Sequence, residues 1–401
     1  YKQHNTSRNQ RLLPYHNELK KAGACFGVSG EYERPMWYAL SEKTPEYKYS
    51  FGYQNWYPSV EFETKNTITN VGLYELSPFS KYEIKGEQAH NELQRICTAN
   101  IKNEIGKSTY TQMLNEAGGI ETDLTVICIE KNHFRIISSA ATRTHDKAHI
   151  LKHLSPNLDF KDITDKFACL GLFGPKSRNL ISKISKDNFS NEVFKFGTGK
   201  YIQILSKKVW AQRLSYVGEL GFELYINNED AKDVYQLIIK EGKNHKLSHC
   251  GSHAMDTMRM ESGFLHWGHD ISPEENQYEA GLSFAISYKK EPNFIGKENL
   301  LKLREKKPNR RFVMLSLIES KAGNPLLLHE EPIYLNDKII GRTTSGNYSF
   351  NYNKNISFGY VNSEHTNEEL EKMTLYIEVA KKKYPAKVEL TPLKNRKARL
   401  L

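Results

Sequence analysis

The stretch SYVGELGFELYI, residues 215–226, decides how the middle of this chain is read. Tyr216, Val217, Phe222, Leu224, Tyr225 and Ile226 are residues that fill sheets, so the stretch predicts two strands around a GELG reversal. Two carboxylates interrupt that pattern. Glu219 falls in the turn, but Glu223 lies inside the second apolar run, between Phe222 and Leu224. A carboxylate placed there carries a desolvation cost unless it faces solvent or meets a basic partner or a ligand. The odd spacing of Tyr216 and Glu223 would put them on opposite faces of one continuous strand; a reversal at 218–221 lets both approach one pocket. A tyrosine beside a carboxylate suits a flat heterocycle that carries N–H donors.

Working outward, SNEVFKFGTGKYIQIL leads through a glycine turn into a strand, and DAKDVYQLIIKEGK follows as a helix. HAMDTMRME predicts a further helix, with Ser252 as its N-cap and Gly263 as its stop. Upstream, VGLYELSPFSKYEIKG alternates like strands with turns, and EQAHNELQRICTANI places Ala89, Leu93, Ile96 and Cys97 on one helical stripe. GGIETDLTVICIE and HFRIISSA form a hairpin, and THDKAHILKHL is helical. The first sixty or so residues are rich in Tyr, Trp, Pro and charge without clean periodicity and are expected to be an extended aromatic arm wrapping another surface. After Pro308 come short strands (RFVMLSLI, PIYLNDKIIGRTTS, ISFGYVN, TLYIEVA, YPAKVEL) with little helix, predicting a small barrel or sandwich. The class is therefore α+β, in three parts: residues 1–60, 61–305 and 306–401.

With 401 residues the chain can bury large cores over two or three domains. Its 57 basic against 47 acidic residues give +10, which favours anionic partners without choosing among them. The nearest thing to a basic patch is Lys381 to Lys383 with Lys394, Arg396, Lys397 and Arg399, and no nucleic-acid module accompanies it, so nucleic acid is not expected as a partner. Cys25, Cys97, Cys128, Cys169 and Cys250 include no close pair, which fits a reducing compartment: the cytoplasm or, in a eukaryote, the mitochondrial matrix. No apolar run spans a bilayer and no secretory signal opens the chain, so no membrane partner is expected. The first residue is Tyr1 rather than Met, leaving a processed or truncated product as an expectation.

Asp123 is the second candidate carboxylate. It stands at the mouth of the run DLTVICI, where it either finishes the glycine turn or stabilises a developing cation and handles a proton. His145, His149 and His153 share a helix face, yet no acidic or cysteine ligand is tied to them, nor to His249, Cys250 and His253 or to His266 and His269, so no metal site is expected. GPKS (174–177) and GTGK (197–200) lack the spacing of a phosphate loop, and no GxGxxG follows a strand, so a nicotinamide or flavin fold is not visible in this chain.

Taken together and in order, these segments resemble one family. SYVGELGFELYI is similar to the YxGExGxE pair of the glycine cleavage T-protein, the folate-dependent aminomethyltransferase. GLYELSPFSKYEIKG resembles its opening motif, GGIETDLTV its glycine turn followed by Asp, and MRMESGFLHWGHDISPEENQYEAGLSFAI with FIGKENL its later motifs, so that the likeness runs from about residue 60 to the end. LLPYHNELKKAGACFG, YERPMWYA and YSFGYQNWYPSVEFE resemble the linker from flavin to folate domain in dimethylglycine and sarcosine dehydrogenases, an arm that the resemblance takes the T-protein to lack. The resemblance implies a T-protein-like core, ferredoxin-like and mixed α/β in its parts, before a C-terminal β-barrel. It implies tetrahydrofolate as cofactor, FAD only on a separate or missing domain, and a small-molecule one-carbon donor with a flavoprotein domain or subunit as partners. By the same resemblance Glu223 grips the pterin edge, Tyr216 stands beside it, Leu224 and Tyr225 continue that wall, and Phe284 is the aromatic near the folate. Asp123 is placed at the nitrogens that take the one-carbon unit, and Arg259 is structural.

The implied activity is capture of a methylene unit from an N-methylated amine, of dimethylglycine or sarcosine type, as 5,10-methylenetetrahydrofolate. Met255 stands where the T-protein often carries a basic residue, which leans away from lipoyl-bound aminomethyl as substrate. Three alternatives stay open: a stand-alone folate-dependent demethylase of sulfonium or aryl ether substrates, the T-protein itself, and a folate-binding iron-sulfur maintenance protein, whose KGCYxGQE motif is absent where this chain reads NFIGKE.

Overall fold

The computed structural model describes residues 2–40, 44–306, 308–362 and 364–394. Two sheets pack face to face to make the core. The larger has six strands in the order Gly199–Ile204, Lys207–Gln212, Gly221–Asn227, Phe167–Phe173, Val71–Glu75 and Leu247–Cys250; only the last pairing is parallel. The second has five, in the order Ser108–Leu114, Ile120–Glu130, His133–Ser138, Ser80–Lys85 and Asp159–Asp162.

Strand alternation divides each sheet into two faces. On the outer face of the larger sheet, Phe222, Leu224 and Ile226 pack under Leu180 and Ile181 of helix Ser177–Ile184 and under Val234 and Ile238 of helix Asn228–Gly242. On the outer face of the smaller, Leu124, Val126 and Cys128 meet Leu93 of helix Ala89–Ile96 and Ile150 of helix Arg143–His153. Between the sheets a third cluster joins Ile127 and Ile129 to Tyr74, Phe173, Trp210 and Tyr225. A closed barrel of six strands follows, from Arg310–Leu317 to Lys382–Glu389. It is fastened to the core through Arg259, which is buried and bonds both Asp270 (2.5 Å) and Asp256 (2.8 Å), with Ser345 of the barrel at 2.9 Å. The mixed α and β core with a C-terminal barrel is the architecture expected from the sequence.

Three expectations need correction. The arm is not extended: it contains the helix His16–Lys21, a hairpin of Ala24–Ser29 with Tyr32–Tyr38, and the start of helix Tyr57–Thr69. The hairpin turns through Gly30 and Glu31, both at positive φ (57° and 70°), a primed turn built without the usual Asn-Gly. What the arm covers is the chain's own core, with Tyr15 stacked on Tyr235 at 4.8 Å and its hydroxyl on Glu75. Second, only the latter half of the opening stretch is a strand. Tyr216 to Leu220 form an irregular connection, because Gly218 takes φ +70° and a Cβ there would meet Ser262 Oγ at 2.1 Å. Third, Ser252 is the first residue of helix Ser252–Glu261 rather than its cap, and its hydroxyl donates to Pro35 O at 3.1 Å.

Lys394, expected in a basic patch, is instead buried, where it pairs with Glu219 and helps to hold the 216–220 connection. Lys383 is taken by Asp337 at 3.2 Å. Arg396, Lys397 and Arg399 lie outside the described residues. The five cysteines are buried and free. No helix among the described residues is long and apolar enough to cross a membrane.

Candidate functional site

Glu223 and Tyr225 project from the inner face of strand Gly221–Asn227, toward the second sheet. Glu223 is half-buried, and Tyr225 donates its hydroxyl to Glu223 Oε2 at 2.7 Å. Burial pushes the Glu223 carboxyl above its usual range, while the Tyr225 bond and the nearby Lys81 ammonium pull it back. Lys81 is itself fully buried, with Nζ donating to Ser77 O and Phe79 O at 2.8 Å each, and burial lowers it to about 8. The Arg135 guanidinium, from the second sheet, lies 5.6 Å over the Tyr225 ring and 4.7 Å from that of Phe167, so stacked groups close this end of the space between the sheets. Directly across the ladder from Glu223 stands Gln212, which accepts from Trp210 Nε1 at 3.1 Å and whose buried Nε2 has no partner among the described residues.

Asp123 projects from the second sheet toward the first, on the same face as Ile127 and Ile129. Its Oδ1 accepts from Gln112 Nε2 at 2.7 Å. Gln112 cannot turn its amide round freely, because its Oε1 accepts from Gln277 Nε2 (2.5 Å), which also donates to Thr98 Oγ1 at 3.1 Å. This buried relay fixes which atom Gln112 offers to Asp123. Burial raises the Asp123 carboxyl to about 6, opposed by hydrogen bonds from Gln112 and Tyr110, and no cation stands among its causes of shift. A carboxyl poised there can take and return a proton near neutrality.

Tyr216 falls on the Asp123 side. Its hydroxyl donates to Leu265 O at 2.8 Å, its ring stacks on Phe264 at 5.8 Å, and Asp123 is among the charges that act on it. The tyrosine that bonds Glu223 is therefore Tyr225. Leu224 does not continue the wall with its side chain, which is fully buried in the outer-face core. Phe284 is 68% exposed on the turn Ser283–Ala285 and stacks on Tyr110 at 6.2 Å and 21°, forming an aromatic rim next to Asp123. Sequence reading missed Tyr110, Gln112, Gln277 and Lys81. A signal existed for Gln112, since STYTQML sets a polar residue inside a strand as Glu223 is set in its own. The histidine groups do not gather ligands: no set of three His, Cys, Asp or Glu among the described residues is placed to hold a metal. His145 bonds Glu121 (3.0 Å), and His149 is lowered to about 4 by burial.

The GCVT N-terminal domain family matches residues 15–290, and the glycine cleavage T-protein C-terminal barrel domain matches residues 310–394. The chain is 38% identical over 345 residues to a 4-methylaminobutanoate oxidase (formaldehyde-forming) of Paenarthrobacter nicotinovorans, covering 86% of this chain and 41% of that protein. It is 32% identical over 392 residues to the mitochondrial dimethylglycine dehydrogenase of Homo sapiens, covering 96% and 44%. The chain thus spans less than half the length of these two relatives. Against an aminomethyltransferase of Bacillus pumilus it is 32% identical over 345 residues, covering 85% of this chain and 92% of that protein. The crystal structure of glycine cleavage system aminomethyltransferase T from Bartonella henselae shares the fold, with a TM-score of 0.81 at 22% identity, over 96% of this chain and 98% of that one. Because the family match begins at residue 15, the arm is part of the family's N-terminal domain and not an addition that T-proteins lack. With both of its domains matched in order, the chain belongs to the glycine cleavage T-protein family of folate-dependent aminomethyltransferases.

Proposed function

We propose that the chain captures a methylene unit released by demethylation of an N-methylated amine, of dimethylglycine or sarcosine type, as 5,10-methylenetetrahydrofolate. The observation that carries this reading is the pair of inward carboxylates on facing sheets, Glu223 under Tyr225 and Asp123 under Gln112. The residues present fit a reduced pterin. Glu223 keeps acceptor capacity beyond its one bond from Tyr225, Gln212 Nε2 stands unpartnered on the same face, and Tyr110 with Phe284 offers exposed aromatic surface. Tetrahydrofolate supplies the nitrogens that accept the one-carbon unit.

What the chain adds is position and charge. Glu223 grips paired N–H donors, an arrangement in which charge-assisted bonds offset desolvation. Asp123 sets a negative charge beside a cationic iminium, takes the proton released as one folate nitrogen attacks the methylene carbon, and returns it to the amine that leaves when the second folate nitrogen closes the ring. A division between core and barrel near residue 305 and a flavin domain or flavoprotein subunit as partner belong to the same proposal, and the named substrates of the oxidase and dehydrogenase relatives support it.

A second reading, the glycine cleavage T-protein itself, is favoured by the 92% coverage of the bacterial aminomethyltransferase. The test supplies tetrahydrofolate and dimethylglycine together with a separate amine-oxidising flavoprotein and measures methylenetetrahydrofolate against free formaldehyde. The chain should divert product into the folate pool, and Asp123→Asn should not. Equal diversion by Asp123→Asn would refute the assignment of Asp123, and transfer from an aminomethyl-lipoyl carrier alone would select the second reading.

A further inference from the structure

Arg34 is a buried cation that no carboxylate pairs among the described residues. It comes from the arm hairpin, on strand Tyr32–Tyr38, and is only 8% exposed. Its guanidinium carbon lies 5.3 Å from the Phe79 ring centre, and Nη2 points at Met255 Sδ at 3.9 Å. The buried Nε has no hydrogen-bond partner among the described residues. Arg259, by contrast, meets two carboxylates, and Arg135 holds Glu83 at 2.8 Å. Glu75 is the main charge acting favourably on Arg34, but its oxygens are engaged by the Tyr15 hydroxyl and the Ser77 N–H (2.6 Å).

A guanidinium stays charged at any physiological pH, so its loss of water must be offset by contacts. A thioether is a weak acceptor and a phenyl face returns only part of the cost. The missing partner for such a planar fork is an anion that can take two parallel N–H bonds. Position says where that anion comes from. Both contacts of Arg34, Phe79 and Met255, pack in the inter-sheet cluster against which Tyr216 also packs, and Tyr216 in turn neighbours Asp123, so this cation stands between the sheets within reach of the reacting side. A positive group near a negative one is the complement of a zwitterion.

We propose that Arg34 recognises a carboxylate brought into this space, with Asp123 facing the cationic nitrogen of the same one-carbon donor. This rests on the reading that a folate and a methylated amino acid meet there. The same fork could take a glutamyl carboxylate of the folate, and the experiment separates the two sources. Calorimetry on the intact chain compares 5-formyltetrahydrofolate with the primary amide of 5-formyltetrahydropteroate, which lacks the glutamate and carries no carboxylate, and dimethylglycine with dimethylglycinamide, the second pair with and without folate present.

The wild type should prefer the carboxylate by tenfold or more in one pair; the first pair identifies the folate tail, the second the donor. Arg34→Met should abolish that preference while leaving the carboxylate-free partner's affinity unchanged. The double variant Arg34→Met, Met255→Arg, which returns a cation to the same contact, should restore part of it. Arg34→Lys, keeping charge but not the fork, should give an intermediate preference and serves if Arg34→Met fails to fold. A wild type without preference in either pair, or a preference retained by Arg34→Met, would overturn the proposal. Failure of the wild type to bind 5-formyltetrahydrofolate would instead defeat the folate reading, and the dimethylglycine pair would still decide Arg34.

Discussion

Replacing Glu223 by glutamine removes one charge and turns one acceptor oxygen into a donor while keeping nearly the same shape. In the free protein this should cost little. The carboxyl is half-buried and already pushed toward neutrality by burial, and a glutamine oxygen can still accept the 2.7 Å bond from Tyr225. With ligand bound the balance reverses, because one of two charge-assisted bonds is lost and an N–H is set against an N–H. Each such bond contributes about 1.5–3 kcal/mol, so affinity should fall by about 2 kcal/mol or more, on the order of thirtyfold. Glu223→Ala should lose at least as much, since it strands the buried donors of the ligand. The assay pairs calorimetric titration of 5-formyltetrahydrofolate with a thermal melt of the ligand-free protein. Affinity should drop while the melting temperature holds or rises. Unchanged affinity, or a loss of stability in step with a loss of binding, would show Glu223 to be a structural acid and refute the pocket.

Three further expectations follow from the same geometry. Because Asp123 is raised to about 6, it is protonated below that pH and cannot take a proton, so transfer should fall about tenfold per unit below pH 6; Asp123→Asn should be slow and free of this limb, with folate affinity retained. Removing the buried Arg259 by substitution to Met leaves Asp270 uncompensated and should cost about 3–5 kcal/mol in denaturant unfolding, where a loss under 1 kcal/mol would deny its role as the core-to-barrel clamp. Burial raises Glu63 to about 8 although it accepts N–H bonds from Tyr38 and Gly251. A raised carboxyl stabilises the fold most below its unfolded value and progressively less as pH climbs through 8, so stability should slope downward by about 1.4 kcal/mol per unit between pH 5 and 8. Glu63→Gln should flatten that slope, as followed by urea titration at several pH values.

Much of the chain was legible because period and burial agree. The two-residue alternation of Ile120–Glu130 and the barrel strands, and the helical stripe of Ala89, Leu93 and Ile96, are apolar where the structure buries them. Helix Tyr57–Thr69 was not legible, because most of its buried face is polar: Ser59, Glu63, Thr64 and Thr67 sit inside, where Glu63 bonds backbone amides and Thr67 bonds Glu63 O at 2.8 Å. The arm hairpin was hidden for a related reason. Its strand Tyr32–Tyr38 buries Glu33 and Arg34 beside the aromatics, so no alternation shows, and Glu31 takes a positive φ that its side chain does not advertise. At the site, a charge inside an apolar run marked Glu223, but the relay behind Asp123 is spread over Thr98, Gln112 and Gln277, which only tertiary contact brings together.

The two carboxylates are given different work by their neighbours rather than by their own chemistry. Burial raises both acids, but at Glu223 a hydroxyl donor at 2.7 Å and the Lys81 ammonium oppose the rise by favouring the charged form, the form that a ligand's N–H edge requires. Asp123 has only neutral donors, one of them an amide oriented by a second amide, so it stays close to half-protonated near pH 6. A cation in range of one acid and only neutral donors around the other suit the first to binding and the second to proton transfer. Since each acid rides on its own sheet, the division holds only while the sheets keep their spacing, and across that gap stand the Arg135 stack and, from the arm, Trp37, packed in the same cluster as Ile127 and Phe173. The arm that delivers Arg34 between the sheets is thus also one of the parts that keep them in register.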